Sequence, residues 1–359
     1  MPQNFNPLAC EPYPGAVNDH GEIETLKGVA FTHWHSSVLR SRYHYVSAGD
    51  PDNPPIVFLH GLPESWYAMH HQMAHLASDY FCIGLDLKGY GQSEKSLDEE
   101  YSFAHCAFEL GLLLDKLGIH TFSLVGHDRG SVLGDHLCNL PNGFNQRITK
   151  FARMQQSANH PHAQPRPPHK LFASNVGSML FSSQNFPTSV YARQPVTPPP
   201  EEQILRAFGK LEAIGVPLRW RKTLFQRALA RAANSNNNSD APQGHQLTHG
   251  EIDPTVIARI HREFHLPGVA EAVPLTFRLT NFDKEYEDRS NFLFDNMTMP
   301  VRFIQGELDP GQPASDYTGL EEIRPNFSIQ WIADAGHFLH LENPQAVNKA
   351  LEEFFAEAD

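Results

Sequence analysis

The segment Leu124-Val125-Gly126-His127-Asp128-Arg129-Gly130 constrains this chain more than any other. An apolar run from Thr121 to Val125 ends in a small residue, a reactive side chain follows two positions later, and a second glycine two positions after that. The stretch beyond reads as helix. This is the layout of a nucleophile elbow, a strained strand-to-helix turn that lifts one side chain clear of the backbone. Serine usually occupies the tip; here it is Asp128. A serine alkoxide attacks acyl carbon, whereas a carboxylate is already anionic at neutral pH. It needs no base to attack saturated carbon carrying a good leaving group, such as an epoxide or alkyl halide. The product is an enzyme ester, which water can open.

An elbow needs a sheet to stand on, and the chain supplies one. Short apolar runs at 56–59, 82–85, 122–125, 148–154, 301–305 and 329–332 read as buried strands, after strand-like segments at 29–39 and 43–48. Helical stretches at 66–77, 103–117 and 131–140 lie between the first four of those runs. Strands alternating with helices predict an α/β fold, a mostly parallel sheet covered on both faces. The rhythm breaks between residues 155 and 295. That block is Pro-rich early, then helical at 201–214, 218–233 and 254–264, and it contains the polar run 234–240, which cannot form a core. Residues 29–154 and 296–359 are therefore expected to form the core, 155–295 a mostly helical cap, and 1–28 an irregular extension.

Composition narrows the partners. A formal charge of −13 disfavours nucleic acid and anionic membrane surfaces. No apolar stretch approaches the ~18 residues a membrane span requires. The first 17 residues have neither a basic start nor an apolar centre, so the expectation is a cytoplasmic protein. The four cysteines show no metal or redox spacing, and three sit in apolar patterns that read as buried free thiols. Among 21 histidines, the pairs His33/His35 and His160/His162 and the set His261, Glu263, His265 match no recognised metal motif.

Three loops agree with the elbow. His60-Gly61-Leu62-Pro63-Glu64-Ser65-Trp66 follows the run 56–59, and a tight turn there can aim the Leu62 N–H at the site. Paired with the N–H of Arg129, it would form an oxyanion hole. Asp309, in Gly306-Glu307-Leu308-Asp309-Pro310, leaves the C-terminal end of a strand, where parallel sheets place their chemistry. Glu307, nearer the strand, is its competitor. His337, in Asp334-Ala335-Gly336-His337-Phe338, follows the last strand. The chain order nucleophile, acid, histidine is that of α/β-hydrolases.

On these residues the chain resembles the epoxide hydrolase and dehalogenase branch of the α/β-hydrolases, and within it the soluble epoxide hydrolases. The likeness is carried by His60-Gly61-x-Pro63-Glu64-Ser65-Trp66-Tyr67, Asp86-Leu87-Lys88-Gly89-Tyr90-Gly91-Gln92-Ser93, Leu114-Asp115-Lys116-Leu117-Gly118 and Gly126-His127-Asp128-x-Gly130. It implies an aspartate nucleophile, Asp128, with Asp309 and His337 completing the triad, no metal or organic cofactor, and a small apolar or amphipathic substrate. A homodimer is left open. Trp66 is expected either to line the cavity or to brace the turn.

The chain also departs from the pattern. Arg129 stands where family members often carry Trp, and Leu62 where a haloalkane halide site would place Asn. Fluoroacetate dehalogenases share an arginine at the position of Arg129, but their second arginine is Val132 here. Epoxide hydrolases use two cap tyrosines to protonate the leaving oxygen. Their expected positions fall at Phe277-Arg278 and near Gly177-Ser178-Met179, so Tyr191 and Tyr286, the cap's two tyrosines, become the candidate donors, with Ser178 a weaker one. The leading expectation is epoxide hydrolysis to a diol. A haloacid or haloalkane dehalogenase is the alternative, and a ligand-binding or non-hydrolytic biosynthetic protein is a third reading.

Overall fold

A computed structural model describes residues 4–156, 191, 252–278, 295–309 and 312–357. Nine strands, β1 (Ile23–Leu26), β2 (Val29–Val38), β3 (Ser41–Ala48), β4 (Pro55–Leu59), β5 (Phe81–Leu85), β6 (Phe122–His127), β7 (Ile148–Met154), β8 (Val301–Gly306) and β9 (Phe327–Ile332), form one sheet. Their spatial order is β1-β2-β3-β5-β4-β6-β7-β8-β9. The first three strands and the β3–β5 contact are antiparallel; β5 through β9 pair in parallel. The described helices are α1 (His70–Leu76), α2 (Phe103–Lys116), α3 (Arg129–Cys138), α4 (Pro254–Phe264), α5 (Val269–Arg278), α6 (Leu320–Ile323), α7 (Leu339–Glu342) and α8 (Pro344–Ala356).

The parallel strands read as unbroken apolar runs because both faces are covered. Successive side chains alternate between two cores. Val57, Leu59, Ile83, Leu85 and Leu124 pack with Leu110, Leu113 and Leu114 of α2 and Leu133 and Leu137 of α3. Ile56, Phe58, Cys82, Val125, Ala152 and Ile304 pack with Met73 and Leu76 of α1 and Leu351 and Phe354 of α8. Helix starts follow side-chain caps. Ser102 accepts the N–H of His105 at the head of α2, and Asp253 accepts that of Thr255 at the head of α4, where Pro254 holds the first position.

One expectation is corrected. The extension is not irregular throughout, because Ile23–Leu26 pairs with β2 in the register Leu26↔Val29. The connecting Lys27-Gly28 carries positive φ at both positions, 54° and 79°. Two such residues close a hairpin whose twist suits the strands. A four-residue strand turned by Lys-Gly gives little periodicity to read. Upstream, Phe5 packs against Phe81, and the Asn6 N–H donates to Leu117 O.

Residues between β7 and β8 carry α4 and α5. Helix α4 begins and ends where the apolar periodicity places it, at Pro254 and Phe264. It is fastened to the core. Arg259 donates to both Glu24 oxygens at 2.7 Å, pairs with Glu263, and lies over the Tyr67 ring at 3.9 Å. Ser65 donates in turn to Glu263. The segments 201–214, 218–233 and 234–240 lie outside the described residues, as do Ser178 and Tyr286.

Candidate active site

Asp128 sits between β6 and α3 with φ 48° and ψ −114°. L-residues rarely adopt positive φ, and such strain persists only where surroundings enforce it. Two glycines allow it. A Cβ on Gly126 would lie 2.8 Å from Ser131 Cα, and one on Gly130 would lie 2.0 Å from Leu59 O. The Asp128 N–H donates to Met154 O at 3.1 Å, tying the tip to β7. The side chain is 22 % exposed, and the N-terminal end of α3 favours negative charge beside it.

The turn after β4 meets this tip. The Leu62 N–H donates to Asp128 Oδ1 at 3.2 Å. His60 fixes the turn from below: its Nδ1 donates to Gly61 O, and its Nε2 accepts the Leu87 N–H. Burial holds that imidazole below its ordinary pKa, which agrees with a neutral ring. Arg129 opens α3, so its N–H is among the first-turn donors that a helix cannot bond internally. Its guanidinium donates to Thr276 O at 2.9 Å and lies over the Phe103 ring at 4.4 Å.

Acid and histidine arrive from the ends of β8 and β9. His337 Nδ1 donates to Asp309 Oδ2 at 2.8 Å, and its Nε2 stands 3.7 Å from Asp128 Oδ2. Asp309 is 4 % exposed, whereas Glu307 faces solvent. Leu308 N–H donates to Ala335 O, which joins the two loops. Burial opposes charge on His337, but the Asp309 carboxylate, its hydrogen bond and Asp128 outweigh it and push the pKa up to about 9.

Two of the remaining candidates take other places. Trp66 is 1 % exposed, its ring packs against Phe31, His33 and Tyr67, and its backbone N–H donates to Asp86 Oδ1, so it braces the turn. The Tyr191 hydroxyl stands 3.5 Å from Glu64 Oε1 and its ring packs on Phe338. Burial, then the Glu64 charge, raises its pKa well above the usual phenol value.

Glu64 is the residue that sequence reading passed over as motif filler. Its carboxylate accepts the Gly61 N–H at 2.8 Å, His127 Nδ1 at 2.9 Å and His340 Nε2 at 2.9 Å. His127 Nε2 donates to His337 O at 2.8 Å. One buried carboxylate thus joins the turn, the elbow and the histidine loop. Glu64, His127 and His340 also place metal-ligand atoms within 4.8 Å of one another. The direct hydrogen bonds between them occupy the lone pairs a metal would need. The only early signal was a lone acidic residue in the turn His60–Trp66. All four cysteines are free thiols.

Comparison with known proteins agrees with this geometry. The family described as alpha/beta hydrolase fold matches residues 54–194. Epoxide hydrolase A of Mycobacterium tuberculosis is 28 % identical over 319 residues, covering 87 % of this chain and 94 % of that protein. Epoxide hydrolase 3 of Xenopus tropicalis is 27 % identical over 327 residues, covering 88 % of this chain and 75 % of that protein. The crystal structure of an epoxide hydrolase from Vigna radiata superposes with a TM-score of 0.60 at 20 % identity, covering 90 % of this chain and 98 % of the other. The chain has the α/β-hydrolase fold. Among the described residues no helix is long and apolar enough to cross a membrane.

Proposed function

We propose that this chain is an epoxide hydrolase working through an ester of Asp128. The observation that carries the reading is the division of one carboxylate: Oδ1 accepts the Leu62 N–H, and Oδ2 faces His337. Oδ2 attacks an epoxide carbon, the ring C–O bond breaks, and a donor protonates the departing oxygen. In-line attack sends that oxygen away from Asp128, so the donor comes from the cap. With Tyr191 engaged at Glu64, Tyr286 is the tyrosine we assign.

Ester formation removes the Asp128 charge, one of the anions that hold the His337 proton. The neutral imidazole then takes a proton from water, which attacks the ester carbonyl carbon. The tetrahedral oxyanion forms on Oδ1, served by the N–H groups of Leu62 and Arg129. Collapse releases the diol and regenerates the carboxylate. No metal or organic cofactor enters, and the substrate is a small apolar or amphipathic molecule. The dehalogenase of a carboxylated substrate draws no support from Arg129, whose guanidinium is engaged with Thr276 and Phe103.

Atom balance supplies the test. Hydrolysis at the ester carbonyl transfers one Asp128 oxygen to the diol and leaves a water oxygen in the enzyme. A single turnover in ¹⁸O-water should label the peptide containing Asp128 and leave the diol unlabelled. Label in the diol on the first turnover would overturn the ester mechanism.

A further inference from the structure

The peptide units around His337 are held from every side. Gly336 N–H and Phe338 N–H donate to the two oxygens of Glu342, at 2.7 and 2.9 Å. Gly336 O accepts Gln155 Nε2 at 2.6 Å. Glu342 is 8 % exposed and Gln155 is fully buried, so these bonds lie in a low-dielectric interior.

Gln155 is an expensive residue in this position. Its φ is 45°, in the region that suits glycine, and its Oε1 is buried without a hydrogen-bond partner among the described groups. Both features oppose folding, a backbone in a sparsely populated region and a buried acceptor left unpaired. Glycine would relieve the backbone, but only a side chain of this length with an N–H donor reaches the carbonyl. Its location is informative. It follows Met154, whose carbonyl accepts the Asp128 N–H, and its own N–H donates to Ile304 O of β8. It therefore bridges the elbow strand's neighbour and the histidine loop.

We propose that Gln155 and Glu342 are positioning residues for His337, an inference that rests on reading His337 as the base of the hydrolytic step. They fix the two peptides on either side of it, so the imidazole meets the water and ester carbonyl in one geometry. Alkylation uses no base, so it does not depend on them. Misplacing a reacting group by about 1 Å can cost about 100-fold in rate.

The test separates the two steps in single turnovers with a reactive epoxide, by rapid quench and intact-mass analysis. For Gln155→Ala and Glu342→Gln, alkylation should stay within about twofold of wild type while ester hydrolysis falls about 10- to 100-fold. Gln155→Glu adds a readout that simple loosening would not produce. Its ionised carboxylate repels Gly336 O, whereas the protonated acid can donate to it, so its hydrolytic deficit should shrink as pH falls. Unchanged hydrolysis in all three variants, or equal loss of both steps with a lowered Tm, overturns the assignment. A His337→Gln control that forms no adduct would instead overturn the ester mechanism.

Discussion

The backbone N–H of Leu62 reaches Asp128 Oδ1 at 3.2 Å across 66 positions of sequence. The donor is in place before any reaction, and the same oxygen can keep it as carboxylate, ester carbonyl and oxyanion. Such preorganisation needs no rearrangement when charge develops. In the proposed cycle the attacking oxygen is the other one, Oδ2, which lies 3.7 Å from His337 Nε2.

Removal of His337 should divide the cycle. His337→Gln is expected to alkylate and then stall, because the base role contributes about 10²- to 10⁴-fold. Intact mass after incubation with an epoxide should show protein plus the whole epoxide. Asp128→Ala should show no adduct and no turnover at an unchanged Tm. Free product release by the His337 variant, with no adduct, would contradict the scheme.

The pKa of His337 lies above its ordinary 6.5, at about 9, so the fold favours the charged ring. That stabilisation is fully present below pH 6.5 and is lost as pH rises through about 9. Its upper value is about 3 kcal/mol. The Tm advantage of wild type over His337→Gln should therefore shrink across that interval. A gap that widened with pH would mean the resting ring is neutral. In the ester the Asp128 charge is gone, so the hydrolytic step should titrate below about 9.

Tyr286→Phe should slow alkylation about 10²-fold or more and leave the decay of a preformed ester intact. Tyr191→Phe, whose hydroxyl faces Glu64, should affect alkylation less. The reverse ranking in stopped-flow measurements would exchange the two roles.

Gly130→Ala should damage the fold rather than the chemistry. Its Cβ would stand 2.0 Å from Leu59 O and 2.7 Å from His60 O, both backbone atoms. Overpacking against backbone should cost about 3 kcal/mol or more. Denaturant unfolding that showed wild-type stability would require the elbow to be looser than described.

The sheet and the elbow were legible because both leave local signatures. The run of β4 and the Gly126–Gly130 frame each report a physical demand, burial on two faces or backbone contact without a Cβ. Asp309 was favoured over Glu307 by its distance from the strand end; in the structure Asp309 is buried and Glu307 exposed. Glu64, Gln155 and Glu342 were not legible. Glu342 binds N–H groups only 4 and 6 positions away, in a loop without periodicity, whereas Glu64 and Gln155 bond across 276 positions to His340 and 181 to Gly336. No periodicity encodes such contacts. The direction of Arg129 was equally hidden, since it depends on where α5 brings the Thr276 carbonyl.

The fastening of Arg259 makes α4 a strut between parts of the chain far apart in sequence. It joins α4 to β1 across 235 positions, while Glu263 of the same helix takes the Ser65 hydroxyl beside the oxyanion turn. Displacing α4 would sever a bidentate ion pair and disturb the turn whose Leu62 N–H donates to Asp128. The β1–β2 hairpin thus holds α4 in place, and α4 in turn buttresses the turn whose Leu62 N–H bonds Asp128.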